Sequence, residues 1–163
     1  MALPEVVEVE PAGAATGSVI WLHGLGADGH DFEPIVPELR LAGELDLRFV
    51  FPHAPIREVT INNGIAMRAW YDLFSLDRSG PQDEDGIRAS SAQLLELVAR
   101  EEARGIPVER IVLAGFSQGG AIALPRGAQD VAATGRPHGP VHVAAAGRHA
   151  AGGSRRQARQ PVA

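Results

Sequence analysis

The chain has no cysteine and no lysine, and only one tyrosine among its 163 residues. Without cysteine it can form no disulfide, bind no metal through thiolates and use no thiol nucleophile. No apolar run reaches the roughly 18 residues that a transmembrane helix needs, so no membrane span is expected. The opening stretch MALPEVVEVE carries three glutamates and no basic residue. It does not read as a secretory signal, and a cytoplasmic location is the expectation. A net charge of −5 argues against nucleic acid as a partner.

What is present divides sharply at Leu124. Residues 1–124 hold nine arginines against nineteen acidic residues, a balance of −10. Residues 125–163 hold six arginines and a single acid, Asp130, a balance of +5. This second stretch also has no Leu, Ile, Met, Phe, Trp or Tyr, and Ala, Gly, Arg and Pro make up 26 of its 39 residues. Such a segment buries too little apolar surface to offset its chain entropy and is expected to be disordered.

The first stretch alternates strand and helix signals. Gly17–Gly24, Leu45–Pro52 and Val108–Gly115 are short apolar runs, the pattern of strands buried on both faces. Ala66–Leu73 is a weaker strand signal, and Ser79–Gly86 reads as an acidic loop. Asp28–Gly43 and Ile87–Gly105 carry apolar residues at helical spacing, and a further helix opens at Gly119. The expectation is an α/β fold with a mostly parallel sheet and helices on both faces.

At the end of the third strand stands AGFSQGGAIAL (Ala114–Leu124), with Gly-x-Ser-x-Gly at its centre. A buried strand before Ser117 and a small-residue helix after it are the context that lifts a serine hydroxyl clear of a sheet. The amide of Gln118 then faces a developing oxyanion. A second donor must come from another loop, and WLHGLGADGHDF (Trp21–Phe32), at the end of the first strand, is the candidate. A Gly-rich turn without catalytic duty is the competing reading of both motifs. A phosphate-binding domain is a poor third, since the chain has neither Gly-Lys-Ser/Thr nor G-x-G-x-x-G.

HGLGADGHDF, FVFPHAP, MRAWYD and GFSQGGAIAL occur in this order. Together they resemble the carboxylesterase/phospholipase family that includes acyl-protein thioesterases. The resemblance covers about Ser18 to Leu124, a little over half of a typical member. It implies an α/β-hydrolase fold that hydrolyses carboxylic esters or acyl thioesters, with Ser117 as nucleophile and the amides of Leu25 and Gln118 as oxyanion hole. It sets Trp70 near the acyl pocket, where a core aromatic is the equal alternative. His23, His30 and His53 would hold turns. The substrate would be a small ester, an acyl thioester or an acylated protein. No cofactor and no metal are implied, and a homodimer is compatible with the family.

A serine needs a histidine to take its proton and an acid to orient that histidine. In this fold both follow the serine in the chain. After Ser117 the only acid is Asp130, and the only histidines are His138, His142 and His149. No strand signal precedes any of them, and none matches the loops in which the family carries its acid and base. The triad Asp and His are therefore not identifiable. The expectation is a truncated hydrolase domain over 1–124 and a non-homologous tail over 125–163, with catalysis impaired or, alternatively, an inactive fragment that at most binds acyl ligands.

The tail has a specific explanation. Pro125 written CCA before an arginine CGN codon contains CAC, a histidine codon, one base later. In that shifted frame PRGAQ can spell H-A-A-L-R, and ATGRPHGPVHVAAAGRHA can spell P-L-A-G-L-M-A-L-S-T-W-L-P-L-A-D-T. Both resemble the family's continuation after GGAIAL. A GC-rich gene read out of frame yields Ala, Gly, Arg and Pro. The expectation is one extra base, or two lost, near codon 125.

Overall fold

The computed structural model describes residues 3–41, 45–77 and 80–124, and the backbone of 142–146. Its centre is three strands: β2 (Gly17–Leu22), β3 (Leu47–Pro52) and β6 (Ile111–Phe116). These are the three apolar runs of the sequence. With β1 (Val6–Val9) and β7 (His142–Ala146) they form a five-stranded sheet of order β1-β3-β2-β6-β7. β2 runs parallel to β3 and to β6, and β7 parallel to β6; β1 alone is antiparallel. A parallel centre places the carboxyl ends of β2 and β6 side by side, with Leu22 opposite Gly115.

Alternate residues sort onto the two faces. On one face Ile20, Leu22, Val50, Ile111 and Leu113 pack against the helices α2 (Glu84–Ala103) and α3 (Gln118–Ala123). On the other, Val19, Phe49, Phe51 and Ala114 meet Phe32 and Val36, the latter on the short helix α1 (Ile35–Glu38). Helices thus lie on both faces, as the pattern predicts.

Several boundaries differ from the sequence reading. Of the expected helix 28–43, only Ile35–Glu38 is helical among the described residues. Pro34 disfavours helical backbone at Glu33 and has no amide to give a helix running through it, so the helix begins only after Pro34, its N-cap residue. At the other end Arg40, with φ 52°, turns the chain away. Helix α2 begins at Glu84, inside the expected acidic loop, because Asp83 accepts the Gly86 amide at 2.9 Å and caps it. Glu84 and Asp85 suit its positive end. The strand expected over Ala66–Leu73 is β5, only Ile65–Arg68. It pairs antiparallel with β4 (Ile56–Val59) in a separate hairpin.

One buried charge lies at the amino ends of the parallel strands. Glu101 on α2 is 0 % exposed. Its Oε2 accepts from Ser18 Oγ on β2 at 2.6 Å and from Arg48 Nη1 on β3 at 2.8 Å. Its Oε1 accepts from Arg100 and Arg104, both at 3.1 Å. The same arginines reach Glu8 and Glu10 at the end of β1. Burial opposes the charge on Glu101, but the Ser18 and Arg48 hydrogen bonds and the Arg104 charge outweigh it, so its pKa lies below the ordinary 4.5.

The expected disordered tail, residues 125–163, lies outside the described residues apart from the backbone of His142–Ala146. There the sequence reading assigned no strand, yet the chain pairs with β6 from Val112 to Phe116. A ladder is made by backbone groups that every residue but proline carries in full, so a side-chain pattern need not announce it.

Candidate active site

The chain leaves β6 through Phe116 and enters α3 at Gln118, turning at Ser117 with φ 52° and ψ −114°. A non-glycine residue there is strained, and such strain persists only where the surroundings hold it. Two glycines permit the turn. A Cβ on Gly115 would fall 2.5 Å from the Gly119 carbonyl. A Cβ on Gly119 would fall 2.4 Å from the carbonyl oxygens of Leu22 and His23. Gly-x-Ser-x-Gly is therefore a packing requirement that brings strand, helix and the end of β2 into contact. Ser117 is exposed, and its side chain does not cap α3. Among the described residues no hydrogen bond engages its hydroxyl.

The loop after β2 passes beside it. A Cβ on Gly24 would lie 3.6 Å from Ser117 Cβ and 3.2 Å from the Phe116 ring. Leu25 follows, half-buried. Among the described residues no group accepts its N–H. The neighbouring Gly26, at φ 75°, donates to the Arg68 carbonyl at 2.9 Å. The first-turn amides of a helix, Gln118 N–H among them, have no intrahelical partner. Loop and elbow thus meet at the carboxyl edge of the sheet, as the two motifs predict.

The three upstream histidines have other work. His23, 1 % exposed, donates from Nδ1 to the Gly24 carbonyl at 2.7 Å and accepts the Ala54 amide on Nε2 at 3.0 Å. Both bonds need the neutral Nδ1–H tautomer. Burial disfavours its imidazolium, and the Gly24 bond opposes this only in part, so its pKa lies below the ordinary 6.5. His53 Nδ1 accepts the Gly29 amide at 3.0 Å. His30, on the surface, pairs with Glu33 at 2.9 Å, which holds its pKa above 6.5.

Trp70 is 1 % exposed. Its indole Nε1–H donates to the His23 carbonyl at 2.9 Å and its ring lies 5.2 Å from the His23 ring. The Trp70 ring is thus buried against the end of β2, beside the loop that leads to Leu25. The Gln118 carboxamide, also buried, accepts the Trp70 amide at 2.9 Å and donates to the Tyr71 carbonyl at 2.7 Å. Ser90 Oγ donates to the Trp70 carbonyl. The sequence reading used only the Gln118 backbone. Its side-chain partner is 48 positions away, and no spacing rule connects them.

Of the acid and base candidates after Ser117, Asp130, His138 and His149 lie outside the described residues, and His142 is described by its backbone alone. Among the described residues no group of three or more His, Asp or Glu side chains could hold a metal ion. No helix among them is long and apolar enough to cross a membrane.

Residues 3–133 match the family model described as phospholipase/carboxylesterase. The chain belongs to this family. The match runs past Leu124, where the sequence reading set the boundary. The acyl-protein thioesterase 1 of Neurospora crassa is 44 % identical over 115 residues, which are 67 % of this chain and 47 % of that protein. The protein of the same name from Schizosaccharomyces pombe is 41 % identical over 121 residues, 74 % of this chain and 53 % of its own length. The crystal structure of Zea mays acyl-protein thioesterase 2 superposes with a TM-score of 0.69 at 28 % identity, covering 87 % of this chain and 61 % of that one. The chain spans about half the length of the curated relatives it matches. The fold is that of an α/β-hydrolase, with its mixed sheet and its strand–serine–helix turn.

Proposed function

We propose that this fold carries a serine esterase site that cleaves carboxylic esters or acyl thioesters through an acyl-Ser117 intermediate. The observation that carries the reading is Ser117 itself, held at φ 52° between β6 and α3 with its hydroxyl unbonded among the described residues. In the reaction Ser117 Oγ attacks the acyl carbonyl and its proton passes to a histidine base. The carbonyl oxygen becomes negative and is met by the N–H groups of Leu25 and Gln118. Collapse breaks the bond to the alcohol or thiol, which leaves with the proton. Water, deprotonated by the same base, then releases the acid and restores the serine. The names of the relatives support acyl thioesters, on a small molecule or an acylated protein, as substrates. A cytoplasmic location and a homodimer complete the reading.

For the 163-residue chain we propose impaired catalysis. No base meets Ser117 among the described residues, and the sequence after Leu124 offers no family-type acid or histidine loop. This favours the second reading, an inactive α/β fragment that binds acyl ligands at most, for the chain as it stands. A frame shifted near codon 125 accounts for both. The test is hydrolysis of an activated ester and an acyl thioester by this chain and by the product of the gene with one base removed there. The restored protein turns over with an initial burst and loses activity with Ser117→Ala; the 163-residue chain gives no burst. A burst from the 163-residue chain, or an active Ser117→Ala, contradicts the proposal.

A further inference from the structure

The two donor amides proposed for the oxyanion hole sit on separate segments. One belongs to the loop after β2, the other to the elbow after β6. Catalysis of this kind depends on their mutual position: a misplacement of about 1 Å can lower a rate about 10²-fold. Backbone pairing of β2 with β6 stops at Leu22 and Gly115, short of both donors. Something beyond the sheet must set them.

A continuous hydrogen-bonded path does join them. From the elbow, Gln118 Oε1 and Nε2 grip the backbone of Trp70 and Tyr71 on either side of one peptide, at 2.9 and 2.7 Å. From the Trp70 ring, Nε1–H reaches the His23 carbonyl at 2.9 Å. That carbonyl belongs to the peptide leading into Gly24 and Leu25. The His23 ring fixes the same turn through Gly24 and anchors it to Ala54. Every side chain on the path is at most 5 % exposed, so water is poorly placed to replace a lost bond.

We propose that the Gln118 carboxamide and the Trp70 indole are positioning residues, a strut that fixes the Leu25 amide relative to the Gln118 amide. The idea rests on the oxyanion-hole reading for its purpose, but the strut is testable without catalysis. Gln118→Met keeps the length of the side chain and removes both of its bonds. Trp70→Phe keeps an aromatic ring and removes the indole N–H. Amide hydrogen exchange read by NMR at Gly26 and Ala27 reports the loop, and exchange at Ile20 and Leu113 reports global opening.

Each substitution should speed exchange at Gly26 and Ala27 about tenfold relative to Ile20 and Leu113, the order expected for one buried hydrogen bond lost. The Leu25 amide resonance should shift in both variants, although neither side chain hydrogen-bonds Leu25. Because the bonds act in series, the double variant should exchange no faster at the loop than the faster single one. Unchanged loop exchange in Gln118→Met would overturn the strut, as would accelerations that multiply in the double variant. An unreactive Ser117 would count against the esterase reading and leave this comparison standing.

Discussion

The two ends of the central parallel strands are built on opposite principles. At the amino end the charged groups are paired with one another, and of the network's buried side-chain atoms Arg100 Nε is left without a partner. Ser18, Arg48, Arg100 and Arg104 converge on Glu101, and the same arginines hold the end of β1. At the carboxyl end two groups have no partner among the described residues, the Ser117 hydroxyl and the Leu25 amide, and the turn beside them is in a strained conformation. A fold that closes one end so thoroughly can hold the other open. Strain at Ser117 survives because Gly115, Gly119 and Gln118 lock the elbow onto β2 and onto the Trp70 segment.

Substitution separates the two ends by sign. Glu101→Gln removes the centre of the buried network and leaves three arginine side chains undercompensated. It should destabilise the chain by about 3–5 kcal/mol. Ser117→Gly should act the other way. It relieves a strained φ and raises stability by about 1–3 kcal/mol while removing the hydroxyl proposed as nucleophile. Urea unfolding of both variants checks this, and a destabilised Ser117→Gly would show that the elbow is not strained.

Acid should reach the two ends at different pH values. The folded pKa of His23 is depressed, so the unfolded chain binds its proton first. Stability from a neutral His23 is complete well above pH 6.5 and declines as pH falls below it. The Glu101 carboxylate is depressed from 4.5, so its contribution is complete above that value and declines only below it. Amide exchange followed from pH 8 downward should therefore loosen Gly26 and Ala27 before Ser18 and Arg48. Loosening in the reverse order would refute this account of the two ends.

The centre of the sheet was legible because β2, β3 and β6 are each six residues and apolar almost throughout. β1 and β4 were not, being four residues each and only partly buried, so that VVEV and IREV carry little pattern. Helical spacing in Asp28–Gly43 misled, since Pro34 disfavours helical backbone at the residue before it and the helix starts only beyond it. The strand–serine–helix turn and its facing loop were legible from glycine positions, because close backbone approach admits no other residue. The Gln118–Trp70–His23 path and the Glu101 network were not, because each joins residues far apart in sequence by bonds that follow no period.

The most direct test of Ser117 is covalent. The frame-restored protein and the 163-residue chain are treated with a fluorophosphonate and the adduct is mapped by peptide mass spectrometry. The account predicts an adduct on Ser117 in the restored protein and almost none in the 163-residue chain. A restored protein that stays unlabelled, or is labelled at another serine, would contradict it.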